Sequence, residues 1–248
     1  LFLYPFMYRL IRKDFSAFHI AGRIPDLPKD RALLLTPNHT GWWDGFFVHT
    51  LNRGLWKRRF YLMMQESLLR HYWFLRYIGC YSIEPSSPSA VRTSLEYTGE
   101  LLTHPENIVA FFPEGGLHSQ FFPPYDIKKG AIWLARHAPG PTPFSILPVT
   151  FLVQTYNTRD PEVIAGIGPL LASEELAANR FLLEERMRST WEHTVSCARR
   201  REFAFDLFPY RALPTPAAEK EQLESSEGPH GIPYSTATLH TTDTEEDT

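Results

Sequence analysis

The stretch R-A-L-L-L-T-P-N-H-T-G-W-W-D-G, residues 31–45, decides how this chain is read. Residues 31–36 form an apolar run of strand length, and a histidine stands just past it. Asp44 follows at the start of a helix-length segment. In such a turn the Asp44 carboxylate can fold back onto the ring N–H of His39, fix its tautomer and leave the other nitrogen as a general base. Gly41 lets the backbone turn tightly. The same residues also describe a helix-capping Asp44 beside a surface His39, and the pair by itself leaves both readings open.

Outward from this stretch, strand-length apolar runs alternate with helix-length segments. Residues 61–64, 80–83, 108–112, 146–153 and 163–167 read as further strands, and residues 45–52, 67–77, 89–103 and 128–137 as helices. Residues 174–201 read as one long charged helix packed on the domain edge. The alternation predicts an α/β fold, with a mixed, mostly parallel sheet covered by helices and ligands bound near the strand ends.

With 248 residues, 43% of them hydrophobic, the chain can bury a sizeable core, which excludes a disordered or fibrous whole. The 25 basic and 28 acidic side chains give a net charge of −3, so there is no basic footprint for nucleic acid. Charge is unevenly placed. Residues 212–248 carry eight carboxylates against Lys220, a net of −7, which leaves +4 on residues 1–211. Rich in Pro, Ser, Thr, Gly and Glu, this stretch reads as a disordered acidic tail, because it cannot bury enough apolar surface to offset its ordering entropy. Two cysteines, Cys80 and Cys197, supply neither a disulfide framework nor a zinc site.

Aromatic residues make 14% of the chain and crowd near its start and around positions 42–81, a composition suited to lipid headgroups as well as to an aromatic core. Residues 1–20 open L-F-L-Y-P-F-M-Y-R-L-I-R-K-D-F and read as an N-terminal amphipathic segment lying on a membrane. Pro5, Arg9, Arg12 and Lys13 break the run well short of the ~20 apolar residues a span needs. Nor does a small-residue cleavage site mark a signal peptide. Residues 21–211 then form the main domain.

Three more elements deliver polar groups. V-A-F-F-P-E-G-G-L-H-S, residues 109–119, is a strand with Pro113 ending its ladder and Glu114 at its mouth. Gly115 and Gly116 there free backbone N–H groups for a ligand. Taken alone it is also a Gly-Gly turn with a solvated carboxylate. Lys128, Lys129 and Gly130 open a helix, and I-L-P-V-T, residues 146–150, carries Pro148 inside a strand, which predicts an edge, a bulge or a site wall.

Taken in this order, the four elements resemble the glycerolipid acyltransferase superfamily, which includes the 1-acylglycerol-3-phosphate acyltransferases. Its N-H-x-x-x-x-D is matched by Asn38, His39 and Asp44, and its F-P-E-G by Phe112, Pro113, Glu114 and Gly115. Lys129, Gly130, Ala131 and Pro148 complete the match, which covers about residues 7–170. The resemblance implies fatty acyl transfer from a thioester, on coenzyme A or acyl carrier protein as co-substrate, to a hydroxyl of a lipid acceptor at a membrane surface. By that analogy His39 is the base and Asp44 its orienting partner. Asn38, Glu114, Gly115, Gly116, His118, Lys128 and Pro148 become candidates for substrate binding. No resident cofactor or metal is expected, and the location implied is the cytoplasmic face of a membrane, as a peripheral or monotopic protein.

Two positions depart from the pattern. Pro85 ends G-C-Y-S-I-E-P, residues 79–85, and Gly116, Leu117, His118 and Ser119 follow the third block, where the family keeps phosphate-binding arginines. Their absence points toward a neutral hydroxyl acceptor, with Arg92, Lys128, Lys129 or His118 as the groups that can restore charge. Gly41 and Trp42 are candidate oxyanion donors through their backbone N–H groups. A thioesterase using the same base on water, or a lipid-binding module without turnover, are the alternatives. His49, His71, His104 and His137 lack a second ligand at metal spacing, and G-I-G-P at 166–169 lacks a dinucleotide fingerprint. Arg53, Lys57, Arg58 and Arg59 suit anionic lipid, donor phosphates or a plain surface turn.

Overall fold

Apolar side chains pointing to alternate faces build a nine-stranded mixed sheet in the computed structural model, which describes residues 3–124, 126–140, 143–156 and 159–208. The tail read over 212–248 lies outside the described residues. Five neighbouring strands run parallel: β4 (Cys80–Ile83), β3 (Arg59–Gln65), β5 (Asn107–Ala110), β2 (Leu33–Pro37) and β6 (Ser145–Gln154). Beyond β6 the sheet continues through β7 (Glu162–Ile167), β1 (Ala17–Ala21) and β9 (Phe205–Phe208). The β6–β7 and β1–β9 pairs are antiparallel, and the short β8 (Leu171–Ala172) pairs with the start of β6. A mixed, mostly parallel sheet is therefore what forms.

Its two faces are covered differently. On one face α1 (Leu3–Asp14) and α2 (Asp44–Leu51) pack Met7, Ile11, Phe47 and Leu51 against Leu33, Leu35, Ile108 and Phe151. On the other, α4 (Pro88–Leu101), α5 (Gly130–His137), α6 (Ser173–Ala178) and α7 (Leu182–Arg200) cover Leu34, Val109 and Ile146. Leu33, Leu34 and Leu35 thus alternate between faces while all are buried, the signature of a central strand. Each such side chain contributes ~1.5–3 kcal/mol.

Several readings need correction. The run 67–77 splits into α3 (Glu66–His71) and a 3₁₀ turn (Trp73–Ile78). Residues 174–201 are two helices, α6 and α7, because Asn179 leaves the helical region and its side chain accepts the Phe181 N–H. The N-terminal segment ends sooner than residue 20, since residues 17–20 already belong to β1, an inner strand. In α1, Met7 and Ile11 are buried against the domain. Pro148 lies on no edge. Its nitrogen faces the same side as its carbonyl, which accepts Gly168 N–H at 2.9 Å. There β8 has ended at Ile146 and β7 pairs only from Val149, so the missing N–H falls in a gap between neighbours.

Candidate active site

Parallel strands deliver their loops to one end of the sheet, the end where ligands bind in folds of this kind. From β2 come Asn38 and His39; from β5 come Phe112, Pro113 and Glu114. His39 Nδ1 lies 2.9 Å from Asp44 Oδ2. A carboxylate oxygen only accepts, so Nδ1 carries the proton and Nε2 presents its lone pair. The Asp44 side chain is 1% exposed and that of His39 is 26% exposed. Asp44 is locked: Oδ2 also accepts Thr40 N–H at 2.6 Å and Gly41 N–H at 2.9 Å, and Oδ1 accepts the Thr40 hydroxyl at 3.3 Å. Standing in the first turn of α2, its charge is also favoured by the helix dipole.

The histidine is held from three further sides. Its ring stacks on Phe112, with centroids 4.0 Å apart. Its backbone N–H donates to Glu114 Oε2 at 2.9 Å, and its carbonyl accepts His118 N–H at 2.8 Å. Glu114 is buried, so the solvated-carboxylate reading of this turn does not hold. Gly115 adopts φ +69°, the left-handed region that the turn requires, and Lys128 packs beside it while its backbone N–H binds Pro113 O.

Asn38, expected to bind substrate, instead extends the sheet. Its amide donates to Phe151 O at 3.1 Å and accepts Phe151 N–H at 2.7 Å. Gln120, which sequence reasoning missed, makes the same exchange with Val153 at 2.9 and 2.8 Å, and its backbone carbonyl accepts the Trp191 indole N–H. Two amides thus pin both site loops to β6, a role that only the juxtaposition of distant segments reveals. Pro148 pairs across from Thr36 within the sheet rather than facing the loops. Gly41 donates its N–H to Asp44, which removes it as an oxyanion donor, whereas Trp42 N–H meets no acceptor among the described residues.

A cavity of about 350 Å³ opens beside the pair, lined by Thr40, Trp43, Asp44, Phe47, His118 and Gln120 among others. Another, of about 430 Å³, lies at Gly22, Gly168 and His193, where β1 and β7 end. Only the smaller one adjoins a proton-transfer pair, and chemistry outweighs size here. Of the charge-restoring candidates, Lys128 pairs with Asp126 and Arg92 with Glu96 on exposed faces. Arg58 binds the carbonyls of Pro28, Arg31 and Pro105, at the end of the sheet away from His39, so its guanidinium ties loops together instead of meeting lipid. Burial pushes the Cys80 thiol up to about 12 and also raises that of Cys197, which leaves neither as a nucleophile.

A family model described as Acyltransferase matches residues 21–152, just over half of the chain. Among solved structures the fold is similar to the crystal structure of the 1-acyl-sn-glycerophosphate (LPA) acyltransferase PlsC from Thermotoga maritima. The TM-score is 0.53 at 17% identity, over 78% of this chain and 77% of that one. At such identity the likeness speaks for the fold. No curated protein matches the chain.

Proposed function

The chain belongs to the acyltransferase family, and on that premise we propose that it moves a fatty acyl group from a thioester to a hydroxyl of a lipid acceptor. The donor is carried on coenzyme A or acyl carrier protein, and the reaction takes place at the cytoplasmic face of a membrane. The observation that carries this reading is the His39–Asp44 pair, with its tautomer set by a buried carboxylate that two backbone N–H groups hold in place. His39 Nε2 takes the proton of the acceptor hydroxyl as that oxygen attacks the thioester carbonyl carbon. The carbon–sulfur bond then breaks, and the imidazolium returns the proton to the departing thiolate. Ester and free thiol result, with no acyl-enzyme, since both cysteines are buried. The base contributes roughly 10²–10⁴-fold, and Trp42 N–H serves the developing oxyanion.

The acceptor reading follows the charges. Lys128 and Arg92 are already paired with carboxylates, and no arginine stands at Pro85 or at Gly116, Leu117 and His118. A phosphate dianion is best held by a guanidinium fork, so this site favours a neutral hydroxyl lipid over a lysophospholipid with a terminal phosphate. Radiolabelled acyl donors tested against a panel of acceptors, with His39→Ala as control, decide the matter. Esterified lipid from the wild type and less than a tenth of it from the variant is the expected result. Release of free fatty acid alone means hydrolysis, and no turnover means a lipid-binding module. Faster acylation of lysophosphatidic acid than of any uncharged acceptor refutes the acceptor assignment.

A further inference from the structure

Of the eleven large apolar side chains exposed among the described residues, seven lie on three segments, the loop from β2, the crossover from β3 to β4 and the loop following β5. Trp42 stands three residues after His39 on the loop from β2. Leu68, Trp73 and Tyr77 lie on the segment following β3, and Leu117, Phe121 and Phe122 on the loop following β5. These segments adjoin one another. The Trp42 and Tyr72 rings are 6.2 Å apart, Trp73 and Tyr77 are 6.0 Å apart, and Gly41 and Gln120 line one cavity. Trp73, Tyr77, Phe121 and Phe122 are each at least 59% exposed, although the core nearby has aromatic partners to offer.

We propose that this aromatic rim is the face on which the protein sits on a phospholipid bilayer, so that the His39 cleft opens directly onto the lipid interface. The inference rests on the lipid acyltransferase reading above and adds the surface that meets the membrane. Rings with an apolar body and a polar edge gain most at the headgroup level, and clusters of them on a water-exposed face mark an interaction site. Charge agrees. Residues 66–78 and 115–129 hold Arg70, Arg76, Lys128 and Lys129 against Glu66 and Asp126, four cations to two carboxylates, which suits anionic headgroups. In α1, by contrast, Met7 and Ile11 are buried against the core. An interface at the rim also accounts for catalytic loops pinned to β6 by Asn38 and Gln120, since loops pressed on lipid need a rigid backing.

The test is binding to phosphatidylcholine vesicles with and without phosphatidylglycerol, by co-sedimentation and without substrate. It compares the wild type, Trp73→Ser/Tyr77→Ser, Phe121→Ser/Phe122→Ser, and Phe181→Ser as an equally exposed control off the rim. Each double variant should bind at least tenfold more weakly and the control within twofold of wild type, with phosphatidylglycerol tightening the wild type. Double variants that bind as wild type, or a control that loses as much, overturn the proposal. A wild-type dimer that the double variants split also overturns it, because the rim is then a contact between copies. If a double variant fails to fold by circular dichroism, quenching of wild-type tryptophan emission by brominated phosphatidylcholine decides: quenching supports the rim and its absence refutes it. Turnover of a short-chain, water-soluble acceptor should be unchanged in the double variants. A wild type that acylates nothing overturns the acyltransferase reading, while the vesicle result still judges the rim.

Discussion

Asp44→Asn separates the two things a carboxylate can do for His39, holding the tautomer and supplying charge. Three donors converge on Oδ2: His39 Nδ1–H, Thr40 N–H and Gly41 N–H. An asparagine amide must therefore place its oxygen there, because its NH₂ would face two backbone N–H groups. Its nitrogen then takes the Oδ1 position, where the Thr40 hydroxyl can accept. The tautomer is kept, and only the charge is lost. Opposite unit charges some 3–4 Å apart attract by about 4–5 kcal/mol at an effective dielectric of about 20. Solvent reaching the partly exposed His39 ring reduces that, so about 3 kcal/mol, or roughly a hundredfold in kcat, is the expected loss. Asp44→Ala also orphans the Thr40 and Gly41 N–H groups, at about 1–3 kcal/mol of stability each, and frees the ring. Acyl transfer rates with ¹⁵N NMR of the His39 ring make the assay. A deprotonated Nδ1 in Asp44→Asn, or a rate within threefold of wild type, refutes the reasoning.

Other consequences follow from single groups. Burial, aided by Arg53, lowers His49 to about 4 from 6.5. The unfolded chain then binds the extra proton between those values, so stability falls as pH drops from about 6.5 toward 4, by about 2 kcal/mol at pH 5. Urea midpoints at pH 7 and pH 5 measure this, and His49→Gln should flatten the difference. Gln120→Leu breaks the paired hydrogen bonds to Val153 and should cost about 2 kcal/mol, with faster amide exchange at Val153; unchanged exchange would count against the clamp. Removing residues 1–15 takes Met7, Ile11 and Phe15 out of the core, so denaturation should show a loss of at least about 4 kcal/mol. Unchanged stability would mean that α1 is not an integral part of the domain.

Strands β2 to β7 were legible because period-two or fully apolar runs between Pro and Gly have few other uses, and α4 because Pro88 starts it within an apolar stripe. β1 and β9 were not. The contacts that tie them in form only when β9, β1 and β7 come together: His19 Nδ1 meets Asp206 Oδ1 at 2.5 Å while Nε2 meets Glu162 Oε2 at 2.9 Å. Buried polar groups of this kind are satisfied only across strands far apart in the chain, so local pattern carries no sign of them.

The same boundary runs through the site. His39 and Asp44 are five residues apart, so one tight turn brings them together, and the four blocks taken in order named the pair where the two residues alone left a capping reading open. Local spacing also placed Glu114 and Gly115 at a strand mouth. That Glu114 binds the His39 backbone 75 residues away, that Asn38 and Gln120 act as rungs on β6, and that Gly41 donates to Asp44 depend on which strands neighbour one another. Sequence determines contacts within a turn through covalent reach. The partners of a backbone N–H or a buried amide are chosen by the packed sheet, because only there does an unpaired polar group carry its full desolvation cost.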